Sequence, residues 1–273
     1  MHVPPPSLTD LHGIWRRTLV READGSTDST TSTTWLQGPT LFTDLRQPPN
    51  LAEAVGGRCL AELDRPQLLV LSTQKAFAGT LEQDGEVFRW VRRIDLHPPA
   101  SLPDAGTLHF EDGVLIEHGL YEDYLERWEP ADRPAADPVG AVLEDPADGC
   151  AGQLVRLGSW FGYVRDRTEP LGTPGLPSTP LTERVLGCAG HAEAVTLLDC
   201  EVSLGRIRAG RWEIVRSTLP HRVGAELRPE ATRSGDALRI LDADPNGSGR
   251  SREWRLAHVE GPPRLLTDDR SRS

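Results

Sequence analysis

The sequence predicts a mainly β protein with two antiparallel β domains in tandem. Three features indicate this fold class: short segments of alternating apolar and polar residues, Asp-Gly pairs between them, and a proline-rich stretch in mid-chain after which a similar order of elements returns. A length of 273 residues favours two domains over one. Strands at this spacing, with few helices, form a meander that closes as a barrel or folds as a sandwich.

The first half begins with strands and contains a single predicted helix. Trp15 marks the opening strand, and Pro48-Pro49 ends the strand that organises this half. Threonines between these strands suit a strand with one side in water. The elements expected before residue 70 are a strand within 10–21, a polar segment at 23–34, a strand at 35–46 and a short helix within 50–63.

Two hairpins are predicted by their turns. Asp84-Gly85 and Asp112-Gly113 are each flanked by alternating apolar residues, which is the strongest short-range hairpin signal. A last strand of the first half follows at 121–129. These three segments complete an antiparallel meander.

The composition changes after residue 130. Pro134, Pro138 and Pro146 lie among acids and alanines, a composition typical of a linker without regular structure. The predicted organisation is an N-terminal barrel at 1–130, a proline-rich linker at 131–149, a C-terminal barrel at 150–260 and a disordered tail at 261–273.

The second half repeats the element pattern of the first. Ala209-Gly210 predicts a hairpin between 195–208 and 211–217, and Asn246-Gly247 predicts a second hairpin near the end. A strand pair at 154–167 precedes a proline-rich loop that ends at Pro180. Gly13 and Gly158 both start a Gly-x-Trp sequence, a match too short to establish a repeat, so the element pattern carries the duplication.

Charge and cysteine usage restrict the function. A formal net charge of −11 disfavours a nucleic-acid or anionic-membrane partner. No secretory signal and no apolar segment near the ~20 residues of a membrane helix is visible, so we expect a cytoplasmic protein. Four cysteines lie far apart without a Cys-x-x-Cys spacing and are expected to be reduced and buried: Cys59, Cys150, Cys188 and Cys200.

The strand at 35–46 carries the strongest functional signal. Its alternation points Phe42, Asp44 and Arg46 to one face and Thr43 and Leu45 to the other. If the first face lines a closed barrel, the Asp44–Arg46 pair forms the floor of a ligand site. If that face meets water, the pair is an ordinary surface ion pair that contributes little.

Short motifs along most of the chain resemble known proteins. The motifs are Trp35–Arg46, Phe77–Gly79, Trp90–Asp95, Pro103–Gly106, Asp112-Gly113, Glu117–Gly119, Tyr124–Trp128, Gly158–Arg167 and Leu198–Ser203. Together they resemble a group of bacterial proteins of unassigned function. In the first half, the order Asp-Gly, Glu-x-Gly and Tyr-x-Glu-x-Trp is similar to the fungal Hri family, whose members consist of two lipocalin-like barrels. The resemblance implies two calycin-type, lipocalin-like barrels in tandem and supplies no catalytic residues.

The candidate site combines charged and aromatic residues of the first half. Arg46 and Arg93 are expected to pair with Asp44, Asp95 or Glu126, because buried charges need partners. Glu117 belongs to the same set of acids. Structural pairing at the barrel ends or between the domains is the alternative. The predicted ligand-binding residues are Trp35, Gln37, Phe42, Asp44, Arg46, Trp90, Arg93, Asp95, His97, Tyr124, Glu126 and Trp128.

Metal and haem sites are weaker alternatives. His109, Glu111 and His118 would share a face across the Asp112-Gly113 turn, at a spacing that a metal could bridge, although exposed histidines are usually only solvated. A haem would need a single histidine, for which His97, His118 and His221 are candidates that no motif distinguishes. We expect neither a metal nor a cofactor.

The sequence therefore predicts binding of a small, partly apolar molecule in the N-terminal barrel. The alternative is a cofactor-independent isomerase, cyclase or hydratase/lyase in the same cavity, with Asp44, Asp95 or Glu126 as general acid or base and an arginine holding an anionic group. A scaffold with filled barrels is a third hypothesis. The sequence identifies neither the ligand nor the oligomeric state, and a homodimer is among the states that it allows.

Overall fold

The computed structural model of the chain describes residues 4–172 and 178–267 and is mainly β. Its first nine strands form one sheet, whose neighbours are antiparallel. They are β1 (Gly13–Arg21), β2 (Thr27–Asp28), β3 (Ser32–Gln37), β4 (Leu41–Gln47), β5 (Lys75–Asp84), β6 (Val87–Asp95), β7 (Ala105–Glu111), β8 (Val114–Gly119) and β9 (Leu125–Asp132).

This first sheet closes into a barrel. Strand β1 pairs with β3 on one side and with β9 on the other, so β1 and β3–β9 form an eight-stranded ring, and β2 adds a short pair at the end of β1. Closure removes the free strand edges that an open sheet presents. The predicted turns at Asp84-Gly85 and Asp112-Gly113 join β5 to β6 and β7 to β8.

The second sheet is curled but open. Its strand order is β14-β13-β12-β11-β10-β17-β16-β15, so β14 and β15 lie at its edges. The two-barrel prediction is thus confirmed at the level of a closed barrel followed by a half-barrel. The strands are β10 (Pro138–Glu144), β11 (Ala151–Leu157), β12 (Trp160–Arg165), β13 (Glu201–Arg208), β14 (Arg211–Ser217), β15 (Glu230–Ala231), β16 (Ala237–Ala243) and β17 (Gly249–Glu260).

The predicted linker was wrong over most of its length. Strand β9 continues to Asp132, and β10 begins at Pro138, so only residues 133–137 connect the two sheets. Proline fits the first position of a strand because its missing N–H is not needed there. The inward-facing Val139, Ala141 and Leu143 then anchor β10 in the second core.

The predicted tail was also wrong in part. Pro263–Leu266 forms a 3₁₀ turn, and the side chain of Leu266 is buried in the second core. Residues 268–273 of the predicted tail lie outside the described residues.

Four helices lie at the junction of the two domains in the described chain: α1 (Leu51–Val55), α2 (Arg65–Leu71), α3 (Leu181–Gly187) and α4 (His191–Leu198). Only α1 falls in the predicted helical segment. Strand structure was wrongly predicted for 195–198, an apolar run that fits a helix as well as a strand. A capping box between Asp64 and Gln67 starts α2, a signal that the sequence prediction did not use.

The outer face of the first barrel packs on the second domain. Leu45, Ala76 and Ala78 point away from the barrel interior and share one buried apolar cluster with Val155 and Val202 of the second sheet. The inner face of the barrel forms a separate, largely aromatic cluster around four tryptophans. Because side chains alternate between the two faces of a strand, each strand that separates the barrel interior from the second domain has two buried faces.

Two of the sequence predictions concern the whole chain, namely the state of its cysteines and membrane-spanning helices. All four cysteines are free and buried, as the sequence predicted. Within the described residues, no helix has the length and apolar character needed to cross a membrane.

The second sheet contains its own buried ion network. Arg165 contacts Asp242 at 3.1 Å, and Arg222 contacts Glu201 at 2.9 Å. Arg252 joins the network at 3.3 Å from Asp242. Because breaking a buried pair leaves an uncompensated charge, the two pairs of Asp242 tie β12, β16 and β17 together, and the Arg222–Glu201 pair ties β13 to the turn after β14.

Candidate functional site

One end of the first barrel is polar and open, and we call it the barrel mouth. A cavity of about 480 Å³ lies there, above the aromatic cluster that fills the rest of the interior. Its wall combines apolar and charged side chains, including Val20, Phe77, Arg17, Arg46, Arg92, Asp95, Asp104, Tyr124 and Glu126. The fold therefore separates a filled barrel base from a hollow mouth.

Arg46 forms the centre of the floor of the mouth. Its Nε donates to Asp44 Oδ1 at 2.9 Å and its Nη1 to Glu126 Oε1 at 3.0 Å. The guanidinium also lies 5.2 Å from the Phe77 ring centroid. Burial raises the pKa of Asp44, and the positive charge of Arg46 opposes that rise. The predicted Asp44–Arg46 pair thus points into the barrel.

Glu126 is shared between two arginines. Arg17 Nη1 donates to Glu126 Oε1 at 2.5 Å, on the same oxygen that Arg46 contacts. The second oxygen, Oε2, is buried and has no hydrogen-bond partner in the described part of the chain. A buried polar atom without a partner is costly, so this oxygen marks a position where a donor is missing.

Glu117 lies directly opposite Glu126 in the β8–β9 register. Tyr124 Oη donates to its Oε1 at 2.7 Å, and Trp128 Nε1 donates to its Oε2 at 3.1 Å. Burial, followed by the negative charge of Glu126, raises the pKa of Glu117 well above its usual range. Burial and the neighbouring negative charge therefore favour the protonated form of Glu117, which lies beside the unpaired oxygen of Glu126.

Arg92 closes one side of the mouth. Its Nη2 donates to Asp104 Oδ2 at 2.6 Å and its Nη1 to Asp95 Oδ2 at 2.9 Å. The guanidinium lies flat against Phe77, 3.6 Å from the ring centroid. This stacking and the two carboxylates hold Arg92 at the rim of the cavity.

A β-bulge decides which arginine of β6 reaches the mouth. The β5–β6 register shifts between Ala78 and Gly79, so that Gly79 opposes Arg92 and Phe77 opposes Asp95. Simple alternation would have placed Arg93 beside Asp95, but the extra residue of the bulge turns Arg93 outward, where it is exposed. The prediction that Arg93 pairs with a site carboxylate was wrong.

Apart from Arg93, the predicted ligand-binding residues divide into two groups. Arg46, Asp95, His97, Tyr124 and Glu126 line the mouth, and Asp44 lies beneath Arg46. The others lie elsewhere: Trp35, Gln37, Phe42 and Trp128 are at most 1% exposed in the filled base, and Trp90 packs in the same aromatic cluster.

Gln37 illustrates the structural role of the base residues. It accepts a hydrogen bond from Trp35 Nε1 at 3.0 Å and donates to the carbonyl oxygens of Gly38 and Thr40. Its polar atoms are therefore satisfied within the β3–β4 hairpin. The prediction of ligand contact for the four deeply buried base residues was wrong, because no free surface is left on them.

Several residues of the mouth were missed, among them three that form its ion pairs: Arg17, Arg92 and Asp104. Arg17 could have been found, since it follows Trp15 at a spacing of two on β1 and shares its inward face. Arg92 is hidden by the bulge. Asp104 lies in the loop before β7, where alternation gives no information.

The histidine alternatives do not converge on a metal site in the described residues. His109 and His118 stack with their ring centroids 5.7 Å apart, and His109 contacts Glu111 at 3.2 Å. His97 Nε2 is bonded to the carbonyl oxygen of Gln74, and burial lowers the pKa of His97. His221 is in the second domain, away from the mouth.

Comparison with known proteins adds evidence on the fold alone. No protein-family model matches the chain, and no curated protein matches it. Among solved structures, it is similar to uncharacterized protein YLR301w from Saccharomyces cerevisiae, at 12% identity and a TM-score of 0.50. The similarity covers 95% of this chain and 100% of the yeast chain, so it extends over both β domains.

Proposed function

We propose that the barrel mouth binds a small, partly apolar molecule and moves a proton on it without a cofactor, as an isomerase does. The observation that carries this proposal is the opposed Glu117–Glu126 pair, in which Glu126 lines the cavity and the pKa of its buried neighbour Glu117 is raised. Paired acids whose environments separate their pKa values are a common basis of acid–base catalysis.

Each residue of the mouth has a role in this proposal. Glu126 accepts a proton from one atom of the substrate, and Tyr124, which lines the cavity, delivers a proton to another atom. Glu117 then restores the Tyr124 proton through their hydrogen bond. A proton shift from Glu126 to Glu117 returns the pair to its first state, so the substrate gains and loses one proton.

Binding would use the remaining wall. Phe77 and Val20 offer apolar contacts, and Arg46 and Arg92 offer donors to a carbonyl or anionic oxygen of the substrate. Binding without catalysis is the second candidate function, favoured by the cavity itself. In the catalytic proposal, every proton donor and acceptor is a side chain of this protein.

The fold and the cysteines bear on the family relation of the protein and on its cellular compartment. We propose that the chain is related to the Hri-type, lipocalin-like proteins; a closed first barrel followed by a second β domain supports this relation. Four free, buried thiols support a reducing compartment, and we propose the cytoplasm.

The first experiment separates binding from catalysis. A metabolite library is screened by thermal shift, and each hit is incubated with the protein in D₂O and followed by NMR. We expect one class of hits to exchange a carbon-bound proton for deuterium. Glu126→Gln and Tyr124→Phe should slow that exchange by about a hundredfold or more, the scale of a general acid or base.

The control variant is Glu129→Gln, on the same strand but in a surface pair with Arg16. It should exchange at the wild-type rate. Compounds that bind at the mouth without exchange of a carbon-bound proton would support the binding function and refute the catalytic one. If no compound of the library binds at the mouth, both the binding and the catalytic function are refuted, and the scaffold hypothesis is favoured.

A further inference from the structure

A second cavity lies outside the barrel, at the junction of the two domains, and we call it the junction groove. It has a volume of about 660 Å³ and lies between the segment that carries α1 and the end of β14. Its apolar wall includes Pro48, Leu51, Val55, Leu71, Val215 and Val223. Val223 is 53% exposed and marks the rim. A groove of this volume and character can hold a small apolar chain.

The polar end of the groove is formed around Arg216. Its Nε donates to Gln47 Oε1 at 3.0 Å, its Nη1 to Thr34 Oγ1 at 2.7 Å and its Nη2 to the Ser32 carbonyl oxygen at 2.6 Å. Gln47 is held in turn by the Ser217 carbonyl oxygen at 3.0 Å. Ser32, Gln47, Arg216 and Ser217 thus form one polar end, and the remaining wall is apolar except for Asn50 and Glu53.

Arg216 differs from the arginines of the barrel mouth in having neutral partners. None of the carboxylates in the described residues forms an ion pair with it, and the acid on the groove wall, Glu53, is exposed. Burial lowers the pKa of Arg216 to about 10, and the negative charge of Asp44, which forms no ion pair with Arg216, opposes that fall. Of the five N–H donors of a guanidinium, three are used, which leaves two for an incoming acceptor.

We propose that the junction groove is a binding site for a small amphiphilic carboxylate, such as a medium-chain fatty acid, with its carboxylate on Arg216 and its chain along the apolar wall. Charge complementarity selects this ligand class: a partly buried guanidinium without an ion-pair partner gains from a carboxylate, which it can bind through two donors. An uncharged chain would fill the apolar wall but would leave Arg216 unneutralised. This proposal does not rest on the function proposed for the barrel mouth.

The test is calorimetric titration of the whole protein with octanoate and with octan-1-ol, which share a chain and differ in charge. We expect octanoate to bind at least about tenfold more tightly than octan-1-ol, the scale of a charge-assisted hydrogen bond. Arg216→Gln should remove this preference. Arg233→Gln, an exposed arginine outside the groove, is the matched control and should keep it.

A second variant guards against a folding defect in Arg216→Gln, whose side chain bridges the two domains. Val223→Glu adds a negative charge at an exposed rim position and should weaken octanoate binding at least about tenfold with little effect on folding. Equal affinity for octanoate and octan-1-ol, wild-type octanoate affinity in both variants, or no octanoate binding would overturn the proposal.

Discussion

Glu117 is a residue whose chemistry is set by its neighbours. Its carboxyl is buried on the inner face of the barrel and accepts hydrogen bonds from Tyr124 and Trp128. Glu126 lies directly opposite it on the adjacent strand, β9. The same residue on the outer face of β8 would be an ordinary solvated acid. Sequence alternation alone therefore locates Glu117 on a face, and only its surroundings raise its pKa.

This raised pKa makes stability depend on pH. From about pH 4.5, the usual value for a glutamate, up to the raised pKa of the folded state, the folded protein holds one proton more than the unfolded chain. Stability therefore falls as pH rises through this window, by up to about 1.4 kcal/mol per pH unit. Glu117→Gln, which resembles the protonated acid, removes this loss.

We expect Glu117→Gln to match the wild type below about pH 4.5 and to become progressively more stable than it toward neutral pH. Urea unfolding at a series of pH values measures the difference. Glu129→Gln, in an exposed pair with Arg16, should follow the wild-type curve. Parallel curves for Glu117→Gln and the wild type would show that Glu117 is ionised in the folded protein.

At the scale of the element, the β5–β6 bulge shapes the mouth. It brings Arg92 over Phe77 and turns Arg93 outward. Gly79 allows this close approach: a Cβ built there would lie 1.9 Å from the Val91 carbonyl oxygen and 3.0 Å from the Arg92 Cα. Backbone atoms cannot move aside as a flexible side chain does, so the bulge requires glycine at this position.

Gly79→Ala should therefore destabilise the protein by about 2 kcal/mol or more, the scale of an overpacked site. It should also displace Arg92 from Asp104, which crystallography of the variant or an NMR signal of the guanidinium would detect. Gly57→Ala is the control, since a Cβ at Gly57 meets open space, and its stability should stay within about 0.5 kcal/mol of the wild type. Equal stability of the two variants would mean that the bulge tolerates a side chain.

Turns were the elements best predicted from sequence. Asp84-Gly85, Asp112-Gly113, Ala209-Gly210 and Asn246-Gly247 all connect strands, and their glycines adopt positive φ. A turn is a local property of a few residues, so a short window contains the needed information. Strand β10 shows the opposite case: its prolines indicated a linker, and its pairing with distant β17 makes it a strand.

At the scale of the whole molecule, the two domains are joined by specific polar contacts as well as by a shared core. The Glu260 carboxylate, at the end of β17, accepts hydrogen bonds from Thr40 N at 3.0 Å, Thr40 Oγ1 at 2.6 Å and Leu41 N at 2.7 Å. It thus satisfies the backbone of the β3–β4 hairpin in the other domain. Gln153 Nε2 adds a bond to the Phe42 carbonyl oxygen at 2.7 Å.

Because of this junction, we expect the wild type to unfold in one transition, with coincident tryptophan-fluorescence and far-UV circular-dichroism curves. Glu260→Ala should lower the free energy of unfolding by about 2–3 kcal/mol, the scale of hydrogen bonds to a charged group.

Glu253→Ala, on the same strand in an exposed pair with Arg239, should cost under about 1 kcal/mol. Wild-type stability of Glu260→Ala would mean that apolar packing alone joins the domains.

The sequence by itself determined the fold class, the hairpin turns, the buried thiols and the shared strand face of Asp44 and Arg46, because each depends on local propensity or on the two-residue period of a strand. Only the tertiary structure decided which charges meet: Arg17 and Arg46 on Glu126, Glu117 opposite Glu126, and Arg92 in place of Arg93. Those contacts depend on barrel closure and on a bulge. Both arise from pairing between residues far apart in the chain, which a local pattern does not contain.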